Sequence, residues 1–256
     1  INAVTMAIRE EMERDERVFV LGEDVGRKGG VFKATQGLYE QFGERRVIDT
    51  PLAESAIAGV GIGAAMYGMR PIAEMQFADF IMPAVNQIIS EAARIRYRSN
   101  NDWNCPIVIR APYGGGIHGA LYHSQSVESV FANQPGLKIV MPSTPYDVKG
   151  LLKAAIRSED PVLFFEHKRA YRLIKGEVPD DDYVLPIGKA DIKRRGEDLT
   201  VITYGLCVHF ALQAAEKLAS DNISVHLLDL RTVYPLDQTA IIEAAAKTGK
   251  VLLVTE

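Results

Sequence analysis

Apolar residues along the chain alternate between a helical period and short continuous runs. Residues 4–12 carry apolar side chains at the helical period, and residues 18–21 form an apolar run that ends at Gly22. The same alternation predicts, in order, strand 47–48, helix 56–66, strand 72–77, helix 85–95, strand 106–111, strand 137–141, helix 146–157 and strand 162–166. Short Val, Ile and Leu runs separated by helices suit a parallel sheet covered on both faces, because each crossover between parallel strands uses a helix. The pattern therefore predicts an α/β fold.

A change of composition between residues 175 and 198 divides the chain. This stretch is rich in Pro, Asp and alternating charge, and the alternation beyond it restarts as strand 201–204, helix 208–219, strand 225–230, a helix after Pro235, and strand 251–254. We therefore predict one domain over residues 1–175, a linker over 176–198 and a second α/β domain over 199–256. The chain opens at Ile1 inside a helical pattern and stops at Glu256 directly after a strand-like run, so we expect this second domain to be incomplete.

The composition argues against two classes of partner, nucleic acids and membranes. The 29 Lys and Arg against 33 Asp and Glu leave no basic surplus to neutralise phosphates, so the sequence does not indicate nucleic acid binding. The longest apolar runs, such as residues 56–66, are far shorter than the roughly 20 residues of a membrane helix, and no signal-peptide pattern is present. Cys105 and Cys207 form no CxxC pair, which favours a reducing compartment. We expect a cytoplasmic protein, or a mitochondrial matrix protein if eukaryotic, without membrane or nucleic acid partners.

Residues 59–64, GVGIGA, fit the G-x-G-x-x-G/A pattern of dinucleotide binding. In a Rossmann unit the glycines form the turn directly after a strand, whereas here residues 50–51 start a helix and the glycines fall in its second and third turns. Small residues at Ala56, Gly59 and Gly63 indicate instead a helix face packed closely against another helix, the sheet or another subunit. A non-catalytic nucleotide-binding module remains the alternative of a different functional class.

Glu54 is an acid in the otherwise apolar first turn of this helix. A first-turn acid is favourable for the helix dipole, which is the simplest reason for its presence. A capping box does not fit, because with Thr50 as N-cap the reciprocal acid belongs at position 53, where Ala53 stands. The alternative is a carboxylate held among apolar neighbours that shares a proton with a ring nitrogen.

A glycine-rich loop over residues 112–125 carries His118 and His123. It follows the strand predicted over 106–111, and loops at the carboxyl ends of parallel strands are where α/β proteins bind ligands. The HxxxxH spacing is not that of zinc hydrolases, and no nearby Cys or acid cluster completes a metal site. The loop is therefore a candidate for proton transfer or ligand binding.

Six short motifs together resemble one family over the whole chain. They are GEDVG at 22–26, DTPLAE at 49–54, QFADF at 76–80, RYRS at 96–99, YHSQ at 122–125 and DLRT at 229–232. They resemble the β subunit of the thiamine-diphosphate-dependent 2-oxo acid dehydrogenase E1 component, and residues 77–81 and 120–126 look most like the branched-chain (2-oxoisovalerate) type. A β subunit for pyruvate or acetoin is the alternative. The resemblance implies a transketolase-like pyrimidine-binding domain with a parallel sheet flanked by helices, plus part of a smaller transketolase C-terminal-like α/β domain.

The resemblance also implies roles for single residues. Glu54 matches the glutamate that bonds the pyrimidine N1′ and favours the tautomer that removes the thiamine C2 proton. The other positions matched to the aminopyrimidine pocket are Leu52, Gln76 and Phe80. Phe80 stands where relatives often have Tyr, so ring stacking is kept and a hydroxyl bond is not. His123 matches the histidine that transfers protons during acyl transfer to lipoamide, and His118 matches a nearby auxiliary histidine.

Two metal ions are implied as well. Branched-chain members bind K⁺ mostly through backbone oxygens, at positions matched here by Cys105, Ile107, Val108, Ala155, Ser158 and Asp160. Relatives hold Mg²⁺ and the diphosphate through a Gly-Asp-Gly segment, which this chain lacks, so an α subunit is expected to supply that half of the site. We therefore expect an α₂β₂ heterotetramer that takes a small 2-oxo acid and docks a lipoyl-bearing E2 acyltransferase.

Overall fold

The chain forms two β-sheets with helices packed against them in the computed structural model, which describes residues 1–256. The strands are β1 (Val18–Gly22), β2 (Val47–Asp49), β3 (Arg70–Glu74), β4 (Val108–Tyr113), β5 (Lys138–Val140), β6 (Val162–His167), β7 (Asp191–Arg194), β8 (Leu199–Thr203), β9 (Val225–Asp229), β10 (Thr232–Tyr234) and β11 (Val251–Leu253). The helices are α1 (Asn2–Arg14), α2 (Leu38–Phe42), α3 (Glu54–Met66), α4 (Ile95–Arg98), α5 (Glu128–Phe131), α6 (Pro145–Arg157), α7 (Ala170–Leu173), α8 (Cys207–Ala219) and α9 (Gln238–Thr248). None of these helices is long and apolar enough to cross a membrane.

The first sheet has the order β10-β5-β6-β4-β3-β1-β2, and all its strands except β10 run parallel. Strands β1, β3, β4 and β6 are buried along their whole length. Successive side chains point to opposite faces, so Leu21 joins the apolar cluster that contains α3, whereas Val20 joins the cluster between the sheet and α1 and α6. The predicted α/β class, with a parallel sheet covered on both faces, is confirmed.

The second sheet has the order β11-β8-β9-β7, with β7 antiparallel to β9. Strand β7 lies within residues 176–198, so that stretch is not a linker throughout. Strand pairing uses backbone N–H and C=O groups. A charged segment at the edge of a sheet can therefore pair just as an apolar segment can. Strand β10 pairs antiparallel with β5, so the later part of the chain also adds an edge strand to the first sheet.

Two predicted helices differ from the structure. In place of the regular helix predicted over 85–95, the structure has a π-helical segment (Gln87–Ala92) followed by α4, and a 3₁₀ segment (Ala78–Ala84) precedes them. Pro83 lies inside the 3₁₀ segment and has no N–H to donate, which prevents a continuous α-helix from running through residues 78–84 into the π-helical segment. Helix α3 begins at Glu54 rather than at Thr50, and its N-cap residue is Ala53.

Candidate functional site

The candidate residues collect at the carboxyl ends of the parallel strands of the first sheet. Gly22, the last residue of β1, is paired with Asp49 of β2 and with Glu74 of β3, so these three strands end at the same level. The segments that follow them carry the residues Glu23, Leu52, Glu54, Gln76 and Phe80. The histidine loop leaves the neighbouring strand β4 after Tyr113. This edge is where ligands bind in parallel α/β sheets.

Glu54 is the first residue of α3 and is only 9% exposed. No hydrogen bond or ion pair within the chain reaches its carboxylate, although buried carboxylates are normally paired. Glu23 is buried beside it, and burial first and the charge of Glu54 second raise the pKa of Glu23. The sequence pattern gave Glu23 no role of its own, although an acid directly after a buried strand was a usable signal. The site thus has two neighbouring buried acids, and neither carboxylate has a hydrogen-bond or ion-pair partner within the chain.

His123 packs edge-on against two phenylalanine rings. Its ring centroid lies 4.6 Å from that of Phe77 and 5.4 Å from that of Phe80, with interplanar angles of 83° and 80°. Its Nδ1 lies 2.6 Å from the carbonyl oxygen of Gly119. A carbonyl oxygen only accepts, so Nδ1 carries a proton and Nε2 is the position left to exchange one. The chain thus brings Phe80 and His123 together, as expected for one site.

The far end of the loop is held by the side chain of Asp79. The carboxylate of Asp79 accepts hydrogen bonds from the backbone N–H groups of Ser124 and Gln125, both at 3.3 Å. His118 is exposed and has a left-handed backbone, with φ of 55°, and no hydrogen bond or ring contact joins it to His123. No group of three or more His, Cys, Asp or Glu side chains is arranged to hold a metal ion. The two histidines are therefore separate features of one loop.

Comparisons with known proteins decide the family. The family model "Transketolase, pyrimidine binding domain" matches residues 1–174, and "Transketolase, C-terminal domain" matches residues 188–256. The chain is 87% identical over its 256 residues to 2-oxoisovalerate dehydrogenase subunit beta of Bacillus subtilis (strain 168), covering 100% of this chain and 78% of that protein. The chain belongs to the β subunit family of 2-oxo acid dehydrogenases. The resemblance inferred from the motifs is therefore confirmed.

Other members of this β subunit family are less similar. Pyruvate dehydrogenase E1 component subunit beta is 51% identical in Bacillus subtilis (strain 168) and 46% identical in Staphylococcus aureus (strain N315). Each comparison covers 100% of this chain and 79% of the relative. Among solved structures, "Split gene transketolase, inactive beta4 tetramer" has a TM-score of 0.80 at 23% identity, covering 100% of this chain and 78% of that chain. That structure confirms the transketolase-like fold.

The positions matched to the K⁺ site lie around the start of β4 and the connection from α6 to β6. They are Cys105, Ile107, Val108, Ala155, Ser158 and Asp160. Lys138 Nζ lies 2.9 Å from Ser158 Oγ, and Arg96 Nε lies 2.6 Å from Asp160 Oδ1. The side-chain oxygens of Ser158 and Asp160 are thus already paired with the positively charged Lys138 and Arg96. The side chains present do not fit a K⁺ site, and backbone oxygens would have to supply one.

Helix α3 leaves one face of this β subunit uncovered. Exposed residues recur at Ala56, Val60, Gly63 and Tyr67, the last being 94% exposed, and this spacing follows a single helix face. Within the chain only Gly61 of the three mid-helix glycines is in close packing, because a Cβ there would lie 2.8 Å from Ile107 Cδ1. A Cβ on Gly63 would meet nothing within 4 Å. The glycines therefore lie within a helix and do not form the turn of a dinucleotide-binding motif. Close packing inside the chain does not explain the glycine at position 63.

Proposed function

We propose that this chain is the β subunit of a branched-chain 2-oxo acid dehydrogenase E1 component. Its reaction is the oxidative decarboxylation of branched 2-oxo acids on thiamine diphosphate, followed by transfer of the acyl group to lipoamide on E2. The observation that supports this proposal most strongly is the 87% identity to 2-oxoisovalerate dehydrogenase subunit beta. The identity to the pyruvate dehydrogenase E1 component subunit beta of the same organism is only 51%. The arrangement of Glu54, Phe80 and His123 at one sheet edge supports the proposal.

The residues at this edge fit the aminopyrimidine ring of thiamine diphosphate. Glu54 presents a buried carboxylate without a partner, which would bind a ring nitrogen and hold the shared proton. Phe80 offers a half-buried ring for stacking, and Gln76 and Leu52 would line the pocket. When bound, the cofactor supplies the nucleophilic carbon and accepts the electron pair released with CO₂. Leu52 is 78% exposed in this chain, and in the proposed assembly the cofactor and the α subunit would cover it.

His123 would hold and move protons beside the acyl group. Its Nδ1 is fixed on Gly119, so Nε2 is the atom that can give or take a proton during transfer to lipoamide. The edge-on contacts with Phe77 and Phe80 restrict rotation of the imidazole. His118 would have an auxiliary role from its exposed position on the same loop.

An α subunit would complete the site. A β subunit of this family has a partner α subunit, and we propose an α₂β₂ assembly in which the α subunit holds Mg²⁺ and the diphosphate. The absence of a Gly-Asp-Gly segment from this chain supports that division, because a diphosphate needs a metal or a helix N-terminus to balance its charge. A K⁺ ion bound through backbone oxygens stays a prediction, and no step proposed for this chain uses it.

A substrate panel on the α–β pair tests the proposed function. We expect kcat/KM for 2-oxoisovalerate to exceed that for pyruvate by about tenfold or more, because each added methylene contributes about 1–3 kcal/mol in a fitted apolar pocket. A higher kcat/KM for pyruvate would assign the chain to the pyruvate alternative. Binding of NAD to the chain, with no effect of thiamine diphosphate, would instead support the nucleotide-binding module.

The uncovered face of α3 predicts a subunit contact. We expect Gly63→Ala to stabilise the separated chain slightly, since Ala is better than Gly in a helix by about 1 kcal/mol, but to weaken assembly because a partner backbone approaches that face. Gly61→Ala is the matched control: its Cβ would press on Ile107 Cδ1 at 2.8 Å, so it should lower thermal stability first. Sedimentation velocity and thermal unfolding measure the two effects. Assembly of Gly63→Ala as tight as that of the wild type would refute a contact there.

A further inference from the structure

A buried histidine outside the predicted site lies beneath the start of the histidine loop. His167 is the last residue of β6 and is 2% exposed. Its Nδ1 accepts a hydrogen bond from the backbone N–H of Arg169 at 3.2 Å, so the ring proton is on Nε2. That Nε2 lies 2.6 Å from Glu256 Oε2. Burial lowers the pKa of His167, which agrees with a neutral ring that donates to the carboxylate.

The second oxygen of Glu256 reaches the loop itself. Glu256 Oε1 accepts a hydrogen bond from the backbone N–H of Gly115 at 2.7 Å. Gly115 is the second residue after β4, where the loop begins. One carboxylate therefore accepts from two donors, an imidazole of the first sheet and a loop amide. Burial raises the pKa of Glu256, but the bonds from Gly115 and His167 outweigh it and hold that pKa below its usual range.

The backbone at the loop start is shaped for this contact. Gly114 has a φ of 86°, in the left-handed region, and a Cβ at that position would overlap the imidazole of His167. Glycine therefore lets the chain pass directly over His167, which brings the N–H of Gly115 to Glu256. The close approach leaves little freedom for another arrangement of the loop start.

The loop that carries His123 thus has an anchor at each end. Asp79 holds the far end through the backbone N–H groups of Ser124 and Gln125. Glu256 holds the near end, and it follows β11 of the second sheet rather than any strand of the first. The orientation of the loop consequently depends on the second sheet as well as on the sheet from which the loop emerges.

We propose that Glu256 is a positioning residue that fixes the start of the loop at Gly115 and so keeps His123 against Phe77 and Phe80. The proposal rests on the role proposed for His123. Two donors converge on Glu256, so a carboxylate is required. A Gln at position 256 would bring one acceptor and one donor, and its donor would face an N–H of either Gly115 or His167. The ring of His167 cannot change tautomer to compensate, because Arg169 already donates to its Nδ1.

The test is Glu256→Gln in the full-length chain assembled with its α subunit. Glu243→Gln is the matched control, since Glu243 lies on α9, which packs against the second sheet, is exposed and makes no side-chain bond. We expect Glu256→Gln to speed amide hydrogen exchange by about tenfold or more within residues 114–125 only. We also expect the kcat for acylation of lipoamide to fall about tenfold, with the KM for the 2-oxo acid within a factor of two. The control should match the wild type in both measurements.

Two results would overturn the proposal. One is unchanged exchange in residues 114–125, or faster exchange spread evenly over both sheets, which would give Glu256 no specific hold on the loop. The other is a loosened loop with unchanged acylation of lipoamide, which would separate Glu256 from the position of His123. Hydrogen exchange needs no substrate, so it tests the anchor even where the wild-type assembly proves inactive on branched 2-oxo acids. In that event the proposed function fails, and the exchange measurement still decides whether Glu256 holds the loop.

Discussion

Glu54→Gln is expected to lower the rate of 2-oxo acid decarboxylation by about 10²- to 10⁴-fold, the range typical for loss of a positioned proton-transfer group. The carboxylate of Glu54 is buried, lies at the start of α3 and has no partner within the chain. A Gln side chain fills the same volume but cannot hold a proton shared with a ring nitrogen. The measurement is decarboxylation by the α–β pair with an artificial electron acceptor, which reports this step without E2.

The fold should survive this substitution. Because no bond within the chain is lost at Glu54, assembly with the α subunit and the thermal midpoint should stay close to wild type. Glu44→Gln, at an exposed acid, is the control for removal of one negative charge and should retain full activity. Near-normal turnover of Glu54→Gln would contradict the role proposed for Glu54 in decarboxylation. Loss of assembly would show instead that Glu54 serves the fold.

The interior strands of the first sheet were the most predictable part of the fold. Strands β1, β4 and β6 each begin with a run of apolar residues and are buried along their whole length, and burial on both faces leaves such segments few alternatives. The edge strands β7 and β10 had no such signal. Each is short and partly polar, and it becomes a strand only because a distant edge, of β9 or β5, offers backbone partners. Pairing of that kind depends on the assembled sheet, so the local sequence of apolar and polar residues does not predict it.

The same distinction applies to the candidate site. Glu54 and His123 could be found from the sequence because each follows a strand end with residue types unusual for packing. His167 lies in none of the motifs that carry the family resemblance. Its link to the loop is made by Glu256, which lies 89 positions away along the chain and reaches it from the other sheet. No periodicity or spacing predicts such a contact, because it depends on how the two sheets are placed.

His123→Ala is expected to lower the rate of lipoamide acylation by about 10²-fold or more, and at least as severely as it lowers decarboxylation. The substitution removes Nε2, the only ring nitrogen not already bonded to Gly119. It also removes the edge-on contacts to Phe77 and Phe80, which hold the ring in place. The measurement compares acylation of a lipoyl domain with decarboxylation monitored by an artificial acceptor on the same preparation.

Two further variants separate proton transfer at His123 from support of the loop. His123→Asn keeps a side-chain N–H that can donate to Gly119 but lacks Nε2, so it should lose acylation nearly as fully as His123→Ala. His118→Ala removes the exposed histidine of the same loop and should have the smaller effect. If His123→Asn restored acylation, the imidazole would be needed only to shape the loop. An unaffected lipoamide step in His123→Ala would refute the role of His123 altogether, and a residue of the α subunit would then have to transfer the proton.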